Sequence, residues 1–124
     1  MADVKIEATI CLKVALRVLS KWECSQEQIQ NILNIKNLES YITSKTNNQI
    51  MLSEEQIDRV SLILNIHASL VNLFNNEDNI YGFMKFKNAN KPFGGKTPLN
   101  LIETGNFEAL KQVNTEIAQL LVSC

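Results

Sequence analysis

Apolar residues recur along this chain at intervals of three and four, the spacing of helices that turn one face to a core. From Lys5 to Trp22, the residues Ile6, Ile10, Val14, Val18 and Trp22 follow one another at four-residue steps, with Cys11, Ala15 and Leu19 beside them. Lys5, Glu7, Lys13, Arg17 and Lys21 take the remaining positions. This predicts a long amphipathic helix whose apolar arc is wide enough to meet two neighbours, and a second copy of the chain is expected to be one of them. Ser25 followed by Gln28 is a capping box, and it opens a helix over Ser25–Leu33 with Ile29, Ile32 and Leu33 as its stripe. After a turn at Asn34–Lys36, the residues Leu38, Tyr41 and Ile42 mark a further short helix, Asn37–Lys45. Thr46-Asn47-Asn48-Gln49 is a polar break that divides the chain into residues 1–52 and 53–124.

The second part repeats the pattern. Ser53 and Gln56 form another capping box, opening a helix over Glu54–Phe74. Ile57, Val60, Leu64, His67, Val71 and Phe74 trace its apolar seam, so His67 is expected to be a hydrogen-bonded core residue. Asn75–Asp78 reads as a turn, and Ile80, Tyr81, Phe83, Met84 and Phe86 as a short aromatic-rich helix. The chain closes on a helix over Asn106–Val122 carrying Phe107, Leu110, Val113, Ile117, Leu120 and Leu121 on one side. No stretch alternates with the period of a half-buried strand, so the fold class is all-α.

Between those last two helices lies Lys91–Gly105, KPFGGKTPLNLIETG. Gly94 and Gly95 admit positive φ, Thr97 is a candidate N-cap, and Pro98 sits at the first helical position, where its missing N–H costs nothing. Leu99, Leu101 and Ile102 give this short helix an apolar side, and Gly105 is expected to end it at C′. The result is a docked elbow punctuated at both ends. Gly95-Lys96-Thr97 resembles the end of a phosphate-binding loop, but position 90, where that motif needs glycine, is Asn, and Phe83–Asn90 does not read as the strand that must precede it.

Charge and chemistry narrow the picture by exclusion. The formal net charge is −1, and residues 1–52 hold six Lys/Arg against five Asp/Glu. That gives no whole-molecule footprint for nucleic acid. No run of apolar residues is long enough to span a membrane, and Met1–Glu7 lacks the pattern of a signal peptide, so a cytoplasmic protein without a membrane partner is expected. Cys11, Cys24 and Cys124 are too scattered to build a zinc site with one histidine. Cys24 precedes a helix N-terminus, a setting that lowers a thiol pKa, although an inert thiol is the favoured reading. No catalytic or cofactor-binding constellation is evident, and neither an enzymatic activity nor a cofactor is expected.

Residues 57–121 resemble the toxin-binding domain of the Xre/MbcA/ParS family of bacterial antitoxins. The matching positions are Leu73-Phe74, Phe83-Met84 in a Trp-Leu place, Asn88, Phe93-Gly94-Gly95, Thr97-Pro98-Leu99, Leu101-Ile102 and Thr104-Gly105. A short Val122-Ser123-Cys124 stands where a glycine-containing tail is commoner. The first half is similar in outline to the Xre-like helix-turn-helix that precedes this domain. The resemblance implies a helix-turn-helix unit packed against a helical toxin-binding domain. It also implies a RES-domain toxin partner, an enzyme that consumes NAD or transfers ADP-ribose and whose active site the antitoxin occludes, commonly with the C-terminal part of its chain. Homodimers and repression of the antitoxin's own operon are common in the family.

On that basis the elbow and final helix are expected to face the toxin through Lys96, Asn100, Glu103, Lys111, Asn114, Ser123 and Cys124, because Phe107, Leu110, Val113, Ile117 and Leu120 turn inward and the chain end is free to enter a cleft. Gly94, Gly95, Thr97, Pro98 and Gly105 would set the elbow's shape. Lys36, Asn37, Ser40, Thr43 and Lys45 are candidate DNA contacts, although Glu39 would repel phosphate and the helix is thin in cations. A stand-alone helix-turn-helix regulator is the alternative, but it leaves the elbow without a task. A nucleotide-binding protein or small enzyme would have to use Gly95-Lys96-Thr97.

Overall fold

The computed structural model describes residues 2–39, 52–88 and 93–123. Helix α1 spans Ala2–Lys21 and α2 spans Gln26–Leu33. Helix α3 covers Glu54–Leu73, followed by a short α4, Glu77–Gly82, and a single 3₁₀ turn, Phe83–Lys85. Helix α5, Pro98–Ile102, and helix α6, Phe107–Ser123, complete the fold. Among the described residues there is no strand, only one isolated antiparallel bridge between Asn88 and Lys96. The chain is all-α over this part, and none of its described helices is long and apolar enough to cross a membrane.

Helix starts follow the local chemistry. Ser25 and Ser53 each accept from the N–H three residues on, at 3.1 Å, while Gln28 and Gln56 reach back to the cap N–H. Two orphan donors are satisfied at each start. Helix α2 stops at Asn34, which adopts the left-handed conformation that asparagine tolerates better than most residues. The predicted helix Asn37–Lys45 falls largely outside the described residues. The aromatic-rich segment is shorter as an α-helix than its apolar spacing suggested and tightens into the 3₁₀ turn, leaving Phe86 in extended backbone.

Helix α3 is the hub, packed against α1 and α6, with α2 and α4 at its sides. One continuous core results, containing Trp22 from the turn after α1, Ile32 from α2, Ile66 from α3, Ile102 from α5 and Val113 from α6. The parts before and after the Thr46–Gln49 break therefore share their buried side chains, each full burial of a Leu or Ile contributing about 1.5–3 kcal/mol.

The seams are rotated from the simplest reading of the sequence. In α3 the buried stripe is Val60, Ile63, Ile66 and Leu70, while Val71 is 47% exposed and His67 sits at the edge. From α1 the core takes Leu12, Ala15, Val18 and Leu19, with Trp22 directly after the helix. Ile10 and Val14 are left 56% and 40% exposed. With apolar residues on more than half the circumference, helical spacing alone does not say which arc faces α3.

One charged residue enters the core. Arg59 is buried on α3, donates through Nη1 to the carbonyl of Ile32 at 3.1 Å, and pairs through Nε with Glu55 at 3.2 Å. Its guanidinium also lies 5.2 Å from the ring centroid of Phe107. The Ile32 carbonyl belongs to the last turn of α2, which lacks an intrahelical partner, so the cation completes that helix end and meets its partial negative charge.

Candidate functional site

The elbow is built from its backbone outward. The Asn88 N–H donates to the Lys96 carbonyl at 3.0 Å and the Gly95 N–H to the Asn88 carbonyl at 2.7 Å, while the Lys96 N–H donates to the Phe93 carbonyl at 2.9 Å. Residues 93–96 make a tight turn in which Gly94 and Gly95 take φ of 56° and 87°. A Cβ at either glycine would meet nothing within 4 Å, so glycine is required there by conformation and not by crowding. Phe93 is buried beneath the loop.

Thr97 caps α5 as expected, accepting from the Asn100 N–H at 2.9 Å, with Pro98 in the first turn. Leu99 and Ile102 are buried, and the C-cap is Glu103. Gly105, expected at C′, lies one residue further on with φ of 83°, because Thr104 intervenes and folds its hydroxyl onto the Leu101 carbonyl at 2.9 Å. A Cβ on Gly105 would come within 3.1 Å of the Asn31 carbonyl oxygen, so the elbow rests directly on α2. Asn106 then caps α6 through the Ala109 N–H at 2.9 Å.

The expected contact residues divide by setting. Lys96 is exposed on the tight turn. Asn100 is exposed, but its Oδ1 accepts from the Thr97 N–H at 3.3 Å and so serves the cap. Glu103 is half-buried and turns toward α2, where its carboxylate accepts from Gln28 Nε2 at 2.6 Å. Lys111 pairs with Glu108 at 2.8 Å and lies 4.8 Å above the Phe107 ring, while Asn114 is half-buried further along α6. Ser123 closes α6, and Cys124 lies outside the described residues.

Of the candidate DNA contacts, Lys36 and Asn37 are exposed just beyond α2, and Ser40, Thr43 and Lys45 lie outside the described residues. A shallow polar groove of about 380 Å³ runs between α2 and the elbow, with Asn31, Asn34, Lys36, Thr104 and Gly105 in its walls. It joins a second depression along Gln28 and Glu103 through the shared Asn31 and Thr104.

Two reactive groups are less available than their positions suggest. Cys24 precedes α2, yet burial and the nearby Glu103 carboxylate push its thiol up to about 11. Desolvation outweighs any help from the helix terminus, so the thiolate is scarce at neutral pH. His67 stacks on Tyr81 with ring centroids 5.7 Å apart, and burial lowers its pKa below 6.5. Its Nδ1 is buried and, contrary to expectation, finds no hydrogen-bond partner among the described residues. Among those residues no group of three or more His, Cys, Asp or Glu is arranged to hold a metal ion.

Three structurally important residues escape a reading by periodicity. Arg59 and Gln28 look like surface residues on amphipathic helices, and Phe86 looks like core. Arg59 carries a faint signal, since it sits beside Val60 within the apolar stripe. No family model matches the chain, and no curated protein or solved structure is significantly similar to it.

Proposed function

We propose that this chain is the antitoxin of a toxin–antitoxin pair, built as a helix-turn-helix unit packed on a toxin-binding domain. It neutralises a RES-domain toxin by lying over the toxin's active site. The observation that carries the reading is the elbow: a glycine loop, a Thr-Pro helix start and a glycine before the next helix, in the order of the family pattern. Its hydrogen-bonded turn and capped helix start support a steric mechanism, since a surface that must cover a cleft loses less conformational freedom on binding the more of it is already held in place. Lys96 on the tight turn, Lys111 and Asn114 on α6, and the Ser123-Cys124 tail form the toxin-facing side, with Asn100 and Glu103 shaping the elbow beside them. The chain performs no chemistry of its own in this reading. Pairing of two copies through the exposed Ile10 and Val14 would cover apolar surface on α1, and operator DNA would be held by the region from Lys36 to Lys45.

Co-expression with the RES-domain product of the neighbouring reading frame tests the proposal, scored by growth and cellular NAD. Protection by the full chain, weakened by deletion of Val122–Cys124 with folding intact, is the expected result. Full protection by the truncation, with protection abolished by folded variants of α1, would move the inhibitory surface to the other half. Operator binding without any effect on the toxin would favour a stand-alone regulator.

A further inference from the structure

Phe86 is 62% exposed, and among the described residues it is the only exposed aromatic side chain. Its ring is nevertheless seated. A Cβ built on Gly82 would lie 3.3 Å from both Cε2 and Cζ of Phe86, tight enough that the ring would have to give by a few tenths of an ångström. Gly82 has φ of −78°, which every residue adopts, and glycine is a poorer helix former than alanine at the end of α4. The backbone there does not ask for glycine, and what a larger residue would disturb is the seat of the phenyl ring.

Exposed lysines neighbour Phe86 along the chain and on the segment bridged to it. Lys85 and Lys87 flank it in sequence and are exposed, and the Asn88–Lys96 bridge carries exposed Lys96 to the same extended segment. Lys85 is tied to Glu23 at 2.8 Å, which fixes one side of the patch and leaves Lys87 and Lys96 as its outward cations. A pre-positioned aromatic ring with a charged rim is the anatomy of a binding hot spot, where one anchor fills a pocket and the surrounding charges steer approach.

We propose that Phe86, packed on Gly82, with exposed Lys87 next to it in sequence and exposed Lys96 on the bridged segment, anchors the chain in an apolar pocket of its protein partner whose rim carries carboxylates. The inference rests on the antitoxin reading for the partner's identity and extends the toxin-facing surface from Lys96 onto the 3₁₀ turn. A protein pocket fits better than single-stranded nucleic acid. Stacking along a strand uses successive aromatic rings, and the described residues expose one.

The test is calorimetric titration of the purified toxin with the full chain and with the Phe86→Ala, Gly82→Ala and Lys87→Glu variants, at low and high salt. A labelled short single-stranded oligonucleotide serves as a second probe. Phe86→Ala should weaken toxin binding by about thirtyfold or more, the hot-spot range, with its unfolding midpoint unchanged. Gly82→Ala should raise the unfolding midpoint yet weaken binding several-fold by displacing the ring, a combination that a purely structural role does not produce. Lys87→Glu should slow association and flatten its salt dependence. Equal affinity of Phe86→Ala and the unaltered chain would overturn the anchor while leaving the antitoxin reading standing. Loss of oligonucleotide binding alone in Phe86→Ala would overturn it in favour of nucleic acid. If the unaltered chain does not bind the toxin, the antitoxin reading fails and the anchor fails with it.

Discussion

Gln28 donates from Nε2 to the Glu103 carboxylate at 2.6 Å while its Oε1 accepts from the Ser25 N–H at 2.7 Å. One side chain thus completes the start of α2 and ties that helix to the elbow at the far end of the sequence. The fit of Gly105 against Asn31 lies alongside, so α2 and the elbow are held both by a charge-assisted bond and by close backbone approach. Gln28→Ala removes the cap partner and the tie together, and should cost about 1–2 kcal/mol in urea unfolding. A loss under a few tenths of a kcal/mol would show that the bond contributes nothing beyond its exchange with water.

The same carboxylate raises the Cys24 thiol pKa, though less than burial does. Glu103→Gln keeps an acceptor for Gln28 and removes the charge. In a background with Cys11 and Cys124 changed to serine, the pH profile of Cys24 alkylation should shift down from about 11 while staying above the ordinary value of 9.0. An unmoved profile would separate Glu103 from the thiol's environment.

Arg59 should tolerate truncation poorly. Arg59→Ala leaves the buried Ile32 carbonyl without its donor and removes the aliphatic stem packed in the core, a loss of about 2–3 kcal/mol. The pairing with Glu55 adds little, since that carboxylate is largely solvated. Glu55→Gln should therefore stay within about 0.5 kcal/mol of the unaltered chain, as exposed pairs do. Comparable losses in the two variants would assign the stabilisation to the ion pair instead.

The elbow was the most legible part of the sequence because its punctuation is local. Positive φ at Gly94 and Gly95, the Thr97 cap and Pro98 at the helix start each follow from one residue's own chemistry. The capping boxes at Ser25 and Ser53 were legible for the same reason. Helix rotation was not, since Ile10, Val14 and Val71 are as apolar as the residues that displaced them from the core, and only packing against α3, α1 and α6 decides between them. Long-range polar ties were also hidden. Nothing near Gln28 announces Glu103, and nothing near Arg59 announces the Ile32 carbonyl.

Gly95 and Gly105 separate two reasons for glycine. Gly95→Ala meets no neighbouring atom and should cost only the left-handed strain, about 1–2 kcal/mol. Gly105→Ala adds a contact of 3.1 Å to the Asn31 backbone oxygen, which has no flexible side chain to move aside. It should be the more destabilising of the two and should loosen the elbow from α2, read as faster amide exchange in residues 99–105. Equal losses would mean that α2 yields easily and that the contact carries no weight.

His67 supplies the pH dependence. Burial lowers its folded pKa below the ordinary 6.5, so the folded chain binds fewer protons than the unfolded chain as pH falls. Its contribution is complete above about pH 6.5 and is lost progressively below it, as the unfolded histidine takes up a proton that the folded one resists. The unfolding midpoint in urea should therefore fall between pH 7 and pH 5.5 more for the unaltered chain than for His67→Gln, which keeps a planar polar side chain but does not titrate. Carboxylates contribute equally to both proteins and cancel in the comparison. Parallel pH profiles would place His67 in an environment as hydrated as the unfolded chain and remove it from the acid response.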